Sequence, residues 1–231
     1  MLAVKDPQVI YEDNHLLLLN KPSGWLVQGD KTGDKTLTDW GRDYIKKKYD
    51  KPGEVFLHPT HRLDRPVSGI TVFARTSKAL ERMNKLFRDD KIQKTYLAVV
   101  KGKPENDQGK LIHWLYKDGQ KNLVKAYKKP MGSAKEAELD YELLGHEDKH
   151  SLLKVMPKTG RSHQIRVQLA SMKTSIKGDL KYGYPEANPD KSIHLHAFQI
   201  SFVHPVKKES VTFTCTPKWR EFKHQIDGLD R

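Results

Sequence analysis

The segment HRLDRPVSG at positions 61–69 limits most strongly what this chain can fold into. Pro66 has no backbone N–H and a fixed φ, so the segment lies neither inside a helix nor in a central strand. The Ser-Gly pair at its end indicates a turn, and the apolar run ITVFA at 70–74 indicates a buried strand. We therefore expect Asp64 to lie on a tight connection that leads directly into the core.

Asp64 also lies between two arginines, Arg62 and Arg65. Fixed positive charge nearby keeps a carboxylate ionised, which is the state that a nucleophile or an electrostatic base needs. An ion pair in a surface loop would produce the same pattern, and ion-pair networks are common outside active sites. Composition alone favours the ion pair, and other parts of the chain are needed to decide between the two interpretations.

The net charge of the chain points to its partner. Its 231 residues include 42 Lys and Arg against 29 Asp and Glu, a formal net charge of +13. Such an excess predicts an anionic partner, and nucleic acid is the first candidate. An anionic membrane surface is the second candidate, but we find no basic amphipathic helix or lipidation motif to support it.

Several classes of function and location are excluded by motifs that the sequence lacks. With one cysteine, Cys215, an internal disulfide and a cysteine-based zinc site are excluded. No metal site is predicted, because no HExxH spacing is found. Five histidines are interpreted as packing or RNA-contact residues and not as metal ligands: His58, His61, His194, His196 and His204. The motifs GxSxG, Walker A and GxGxxG are also missing. No apolar run approaches a membrane span and no signal-peptide pattern is found, so we expect a cytoplasmic protein.

Apolar periodicity and turn residues predict more strands than helices. Strands joined mostly by short turns indicate an α+β fold with a largely antiparallel sheet. Helices are predicted at 36–49, from an N-cap at Ser77, at about 162–172, and from Pro217, the last with Trp219 and Phe222. Strands are predicted at 9–13, 15–20, 70–74, 93–100, 138–144, 152–157, 194–203 and 210–216.

Three parts of the chain carry candidate binding residues: the helix at 162–172 and the residue before it, the KPSG turn, and the stretch 101–135. In the helix at 162–172 Arg166 borders the apolar stripe, so it is expected to be half-buried and to need a carboxylate partner. Arg161 near the helix start opposes the helix dipole, so a phosphate suits it better. The turn KPSG that begins at Lys21 either approaches a phosphate or is a plain turn. The lysine-rich and aromatic stretch 101–135 either forms a hairpin or insertion that contacts RNA or is a solvated excursion.

The segment at 61–69 and KTGRSHQIRVQL at 158–169 together resemble the two main signatures of the RluA family of RNA pseudouridine synthases. Other motifs of that family follow in order over nearly the whole chain. They are VIYED at 9–13, NKPSG at 20–24, KTY at 94–96, GD at 178–179, YG at 182–183, LHA at 195–197 and FVHP at 202–205. The resemblance implies the pseudouridine synthase fold, with a mixed, mostly antiparallel sheet, flanking helices and an RNA-binding cleft. It also implies a single catalytic domain over residues 1–231, with no S4-like RNA-binding domain before the opening motif.

The resemblance further implies a role for each site residue. Asp64 would be the nucleophile that attacks the ribose or the uracil ring of a flipped uridine. Tyr96 would stack on the base and assist removal of the C5 proton, and Arg166 would pair with Asp64 and keep it ionised. Arg62 would fill the space that the base has left in the RNA helix. The further residues expected to contact RNA are Arg65, Arg161, His163 and Lys21.

The same resemblance sets the expected substrate and partners. No metal or cofactor is expected, and the protein is expected to act as a monomer on ribosomal or transfer RNA. The pair Arg65-Pro66 resembles members that act on transfer RNA. Val67 stands where Thr is usual and Gln168 where His is common, which bears on the fit of the substrate and not on the chemistry.

A second hypothesis comes from a different class of function, a non-catalytic RNA-binding protein or RNA chaperone on the same fold. Asp64, Tyr96 and Arg166 are all present, and this favours the enzyme. Binding alone would not need a carboxylate among RNA phosphates, because the two negative charges repel each other.

Overall fold

The computed structural model describes residues 6–30 and 32–230, which form two compact units. The first unit contains the described residues up to Ile92 together with Ala197–Cys215. The second unit contains Gln93–His196 together with the described residues from Thr216 onwards. The expectation of one catalytic domain over residues 1–231 remains a prediction. No helix in the described ranges is long and apolar enough to cross a membrane.

Strands and helices alternate irregularly along the chain, which confirms the predicted α+β class. The first elements in chain order are β1 (Gln8–Glu12), β2 (Leu16–Lys21), α1 (Leu37–Lys48), β3 (His58–Pro59), β4 (Ser68–Ala74) and α2 (Ser77–Arg88). They are followed by β5 (Gln93–Lys101), β6 (Gln108–Asp118), β7 (Leu123–Tyr127), β8 (Lys135–Glu147), β9 (His150–Pro157), α3 (Gln164–Ser171) and a 3₁₀ turn (Leu180–Tyr182). The last elements are β10 (Leu195–Val203), β11 (Ser210–Thr214), α4 (Lys223–Asp227) and a 3₁₀ turn (Gly228–Asp230).

In the first unit β2 is covered on both faces. It runs antiparallel between β1 and β4, while β10 neighbours β4 and pairs antiparallel with β11. Leu16 and Leu18 pack on the side of α2. On the other face a Cβ added at Gly41 of α1 would overlap the Leu57 side chain at 2.6 Å and would be in ordinary contact with Leu17 at 3.5 Å and Leu19 at 3.6 Å. Glycine at this position therefore leaves room for the Leu57 side chain beside the strand.

Side-chain caps set the starts of both helices in this unit. Thr36 and Asp39 form a reciprocal capping box at the start of α1. At α2 the predicted N-cap, Ser77, was wrong by one residue. Thr76 has the extended backbone of an N-cap, and its hydroxyl accepts a hydrogen bond from the Ala79 amide at 3.1 Å. Ser77 is therefore the first helical residue.

The second unit contains an antiparallel sheet in the order β5-β9-β8-β6-β7. The predicted pair of strands at 138–144 and 152–157 is confirmed as β8 and β9. The stretch 101–135 contains the β6–β7 hairpin, so the predicted hairpin is present, while its contact with RNA remains a prediction. Helix α3 packs on this sheet through Val167, which joins a buried cluster with Leu115, Val124 and Ala137.

Two residues with positive φ correct the predicted helix boundaries. Helix α3 starts at Gln164 and not at 162, because His163 has a φ of 52°. Pro217 does not open a helix, and α4 starts only after Phe222, which has a φ of 55°. Trp219 stacks on His194 with 4.9 Å between ring centroids, and Phe222 is buried. The stacking of Trp219 and the burial of Phe222 override the preference of proline for a first helical turn.

Candidate active site

Hydrogen bonds between Val72 of β4 and two residues that precede Asp64, Thr60 and His61, shape the loop that carries Asp64. The amide and hydroxyl of Thr60 donate to the Val72 carbonyl oxygen at 2.9 and 3.0 Å, and the Val72 amide donates to Nε2 of His61 at 3.1 Å. His61 Nε2 is therefore an acceptor, and this side chain holds the loop against β4. The Val67 amide closes a turn on the Asp64 carbonyl oxygen at 3.0 Å. The expected tight connection into a buried strand is confirmed.

The start of β4 lies so close to β10 that only glycine fits there. Gly69 has a φ of 113°, a backbone conformation that other residues rarely adopt. A Cβ at this position would also overlap the backbone of Ala197. The glycine of the 61–69 segment thus sets the distance between two strands, in addition to ending the turn after Asp64.

Lys21 is fully buried and holds this loop from the inside. Its ammonium group donates to the carbonyl oxygens of Pro22 at 3.1 Å, Trp25 at 2.8 Å and Arg65 at 3.1 Å. Burial lowers the pKa of Lys21 to about 7, although the Asp64 carboxylate acts in the opposite direction. Nζ of Lys21 is thus directed at three backbone oxygens, and the expected contact of Lys21 with RNA remains a prediction.

A second set of bonds joins the KPSG turn to the Asp64 loop. The Gly24 amide donates to the Arg65 carbonyl oxygen at 2.8 Å, and Nε of Arg65 donates back to the Gly24 carbonyl oxygen at 3.0 Å. The Ser23 hydroxyl donates to the Pro66 carbonyl oxygen at 3.0 Å. Arg65 also pairs with Asp34 at 2.7 Å at the surface. The two loops are therefore joined by hydrogen bonds to backbone carbonyl oxygens in each of them.

Gln164 builds the turn that precedes α3 in the second unit. Its side-chain oxygen accepts from the Thr159 hydroxyl at 2.7 Å and from the Arg161 amide at 3.0 Å. Its side-chain nitrogen donates to the Glu138 carbonyl oxygen of β8 at 2.9 Å. The exposed Arg161 donates from Nε to the Glu136 carbonyl oxygen at 3.0 Å. One buried glutamine therefore fixes the backbone of the segment that presents Arg161 and His163.

Arg166 is buried in a bidentate ion pair. Its Nε donates to Oδ2 of Asp179 at 2.7 Å and its Nη2 donates to Oδ1 at 2.8 Å. The side chains of Arg166 and Asp179 are only 6% and 1% exposed. The expected carboxylate partner is confirmed, and the burial of Arg166 is deeper than the half-burial that we expected. The pairing of Arg166 with Asp64 remains a prediction.

The remaining predicted residues fall in both units. Asp64, Arg62, Arg65 and Lys21 belong to the first unit, whereas Tyr96, Arg161, His163 and Arg166 belong to the second. Tyr96 is half-buried near the start of β5, opposite Val155, and the four residues after it are fully buried. Arg62 is exposed. Within 6–30 and 32–230 no group of three or more His, Cys, Asp and Glu side chains is arranged to hold a metal ion.

Comparison with known proteins identifies the family. The RNA pseudouridylate synthase family matches residues 15–171. The chain belongs to this family. Among its curated relatives, the dual-specificity RNA pseudouridine synthase RluA of Haemophilus influenzae is 34% identical, over 89% of this chain and 90% of the relative. The tRNA pseudouridine synthase C of the same organism is 30% identical, over 95% and 97%.

Solved structures support the same fold. The structure of human RNA pseudouridylate synthase domain containing 4 matches with a TM-score of 0.76 at 24% identity. The match covers 96% of this chain and 92% of the human chain. The human RNA pseudouridylate synthase domain containing 1 has a TM-score of 0.73, also at 24% identity, and covers 94% and 85%. The predicted pseudouridine synthase fold is therefore confirmed.

Both departures from the RluA-type motifs are buried in this pseudouridylate synthase. Val67 is 3% exposed, so it contributes packing beside the Asp64 turn. Gln168 is fully buried, and its side-chain nitrogen donates to the carbonyl oxygens of Leu111 at 3.1 Å and Ala137 at 3.2 Å. Gln168 thus fastens α3 to β6 and β8, and a substitution there changes how the helix is attached.

Three residues of the site were missed by reasoning from the sequence. Asp179, Tyr182 and Gln164 surround Arg166 and its turn, yet no role was assigned to any of them. The Gly178-Asp179 and Tyr182-Gly183 pairs were the available signal, since a carboxylate after a glycine turn is a suitable partner for a buried arginine. The sequence separation of 13 residues between Arg166 and Asp179 hides that partnership.

Proposed function

We propose that this protein isomerises uridine to pseudouridine in RNA, with Asp64 as the nucleophile. The observation that carries the proposal is the construction of the Asp64 loop. The residue lies on a tight turn before a buried strand, and the next residue, Arg65, is bonded to a buried ammonium group. A rigid loop that presents a carboxylate suits covalent attack, because a nucleophile must be held in the geometry of the reaction.

The isomerisation balances without any further reagent. A carboxylate oxygen of Asp64 forms a bond either to C1′ of the ribose or to C6 of the uracil ring, and the bond between N1 and C1′ breaks. The ring turns so that C5 bonds to C1′, Asp64 leaves, C5 loses its proton and N1 gains one. No electrons are transferred to or from another molecule, so neither a redox cofactor nor a metal is needed for the balance.

Tyr96 and Arg166 complete the proposed chemistry. Tyr96 stacks on the uracil ring and assists removal of the C5 proton, and its half-buried place at the start of β5 suits a side chain that is accessible to a base. Arg166 pairs with Asp64 and keeps it ionised. The target uridine is flipped out of its helix, because a stacked base hides the glycosidic bond, and the exposed Arg62 fills the vacant space.

RNA binding is proposed to rest on the basic surface. The net charge of +13 attracts phosphates, and Arg65, Arg161 and His163 contact the RNA near the site. The name of one Haemophilus relative, a transfer RNA enzyme, supports transfer RNA as the substrate, and ribosomal RNA is the alternative. The Arg65-Pro66 pair favours transfer RNA. We further propose that the protein works in the cytoplasm, as a monomer and without a cofactor.

The direct test is to map pseudouridine in RNA treated with the purified protein. Transfer and ribosomal RNA transcripts are incubated with the parent and with Asp64→Asn, and pseudouridine is located by mass spectrometry. We expect a specific uridine to be converted by the parent and not by the variant. Tight binding of these RNAs without any conversion by the parent would contradict the proposal and support a non-catalytic RNA-binding protein.

A further inference from the structure

Tyr182 contacts Arg166, His163 and the β6–β7 hairpin at once in the second unit. We infer that Tyr182 is a positioning residue for Arg166, and that it couples the β6–β7 hairpin to this arginine. RNA held by the hairpin would thereby influence the geometry of Arg166. The inference rests on the proposed function, because it assigns Arg166 to the pseudouridine reaction.

The ring of Tyr182 fixes Arg166 in a direction that its ion pair does not control. Asp179 holds two nitrogens of the guanidinium group, which sets the position of the group within its own plane. The Arg166 Cζ lies 5.1 Å from the centroid of the Tyr182 ring, a distance at which a cation is attracted to the aromatic face. The carboxylate and the ring together limit both rotation and tilt of the guanidinium group.

The hydroxyl of Tyr182 joins two further elements. The Val124 amide of β7 donates to it at 3.1 Å, so an amide of an outer strand of this sheet is satisfied by a side chain. Nδ1 of His163 lies 2.7 Å from the same oxygen, and a hydroxyl that accepts from Val124 can donate its own proton to that nitrogen. The ring of Tyr182 therefore cannot shift without stretching bonds to β7 and to the residue before α3.

The 3₁₀ turn that carries Tyr182 is itself anchored to the hairpin. Nζ of Lys181 donates to the Asn122 carbonyl oxygen at 3.1 Å, at the start of β7. The turn follows Gly178, where a Cβ would overlap Asn188 and the Ser192 carbonyl oxygen. Because one end of the turn is fixed by packing and the other by the hairpin, a displacement of β7 is transmitted to Tyr182.

The hairpin offers RNA two exposed lysines beside these anchors. Lys121 lies in the tip of the hairpin and Lys125 follows Val124 in β7, and both are exposed. Phosphate contacts from these side chains would pull on the same strand whose amide bonds to Tyr182. The β6–β7 hairpin thus has the charge needed to bind RNA and a direct connection to Arg166.

The first test removes only the hydroxyl. Tyr182→Phe keeps the ring beside Arg166, while Tyr184→Phe is the matched control, because Tyr184 makes a similar hydroxyl-to-histidine bond with His150 at 2.8 Å. We expect Tyr182→Phe to lower the single-turnover rate at saturating RNA about 10-fold or more, with RNA affinity within about twofold of the parent. We expect the control to retain the parental rate. A parental rate in Tyr182→Phe, or an equal loss in both variants, would overturn the inference.

The second test addresses the coupling itself. The double variant Lys121→Ala/Lys125→Ala should weaken RNA binding and also lower the rate at saturating RNA. When it is combined with Tyr182→Phe, the loss of affinity should persist but the further loss of rate should be smaller than in the parent, since the Val124–Tyr182 bond is already broken and only the Lys181–Asn122 bond remains. A hairpin variant that binds more weakly yet reacts at the parental rate once RNA is saturating would contradict the coupling.

Hydrogen exchange provides a readout that does not depend on activity. The Val124 amide should exchange faster in Tyr182→Phe than in the parent or in Tyr184→Phe, with similar melting temperatures in all three. Unchanged exchange of Val124 would refute the hydroxyl link even if no RNA were converted. Failure of the proposed function is distinguishable from failure of this inference. In the first case the parent protein forms no pseudouridine, while the faster exchange of Val124 in Tyr182→Phe is still observed.

Discussion

Nζ of Lys21 lies 3.1 Å from the carbonyl oxygen of Arg65, so a fully buried ammonium group is bonded to the residue that directly follows Asp64. A charge buried in this way is costly unless it is fully hydrogen-bonded, and three backbone oxygens meet that need. The Asp64 loop is thus held by a lysine that is buried against the backbone.

Replacement of this lysine should therefore act on stability. In Lys21→Met the carbonyl oxygens of Pro22 and Trp25 lose the Lys21 donor and that of Arg65 keeps only the Gly24 amide, and we expect a loss of about 3 kcal/mol in the free energy of unfolding. Urea denaturation measures the change. Lys35→Met is the control, because Lys35 is exposed and pairs with the exposed Asp43, and it should leave the midpoint unchanged. An equal effect of the two variants would refute the role of Lys21.

Asp64→Asn separates the chemistry from the binding. The substitution keeps the size of the side chain and removes its charge, so repulsion of phosphates falls and the proposed nucleophile is lost. We expect a folded protein that binds RNA as well as the parent or slightly better, and that forms no pseudouridine. Thermal melting, RNA affinity and pseudouridine formation are measured on the same sample. Turnover near the parental level would remove Asp64 from the reaction.

The buried pair of Arg166 and Asp179 predicts a characteristic pattern of stabilities. Arg166→Ala leaves the Asp179 carboxylate buried and unpaired, which should cost about 3–5 kcal/mol in unfolding free energy. The double variant Arg166→Ala/Asp179→Ala removes both charges and should recover part of that loss. Denaturant unfolding of the parent and the three variants forms the cycle. Independent, additive losses would show that the two charges do not depend on each other.

Asp13 should give the first unit a stability that depends on acidic pH. Burial acts to raise its pKa, but hydrogen bonds from the His15 and Leu16 amides and the Tyr11 hydroxyl outweigh it and lower the pKa to about 2. The unfolded carboxyl keeps its ordinary, higher pKa, so the stabilisation is complete above about pH 4 and is lost as the pH falls through 2. Asp13→Asn should be less stable at pH 7 by about 1 kcal/mol, a value discounted for partial exposure to solvent. The difference from the parent should shrink in unfolding measurements as the pH is lowered from 4 towards 2.

RNA affinity should fall steeply with salt. The formal net charge is +13, and each neutralised phosphate releases counterions whose effect weakens as the salt concentration rises. Titrations between 50 and 200 mM salt should lower the affinity by about 10³-fold if six or more phosphates are contacted. An affinity that stays flat over this range would argue against electrostatic binding of RNA.

The fold could be predicted largely because its strands have local signatures. The run at 70–74 and the leucines of β2 are apolar, are bounded by turn residues and became buried strands as expected. The errors came where a distant contact overrode a local preference. Pro217 favours a helix start, yet Trp219 stacks on His194, a residue 25 positions earlier in the sequence.

The site was predictable in its residue types but not in its partnerships. Arg166 needed a buried carboxylate because of its place beside an apolar stripe, but the choice of Asp179 depended on a turn whose path no periodicity reveals. Lys21 was assigned to RNA because the KPSG turn follows a core strand and could approach a phosphate. Its burial follows from the way two loops meet, and loop geometry leaves no pattern in a sequence that predicts how deep a side chain will lie.

The close approach of Gly69 to Ala197 has a consequence for biosynthesis. The first unit takes in residues up to Ile92 and resumes only at Ala197, so more than a hundred residues of nascent chain must leave the ribosome before β10 can join β4. Until then β4, the strand that follows the Asp64 turn, lacks its neighbour β10 in the sheet. A ribosome-bound intermediate of this protein should therefore hold the Asp64 turn in an unfinished unit until β10 has been synthesised.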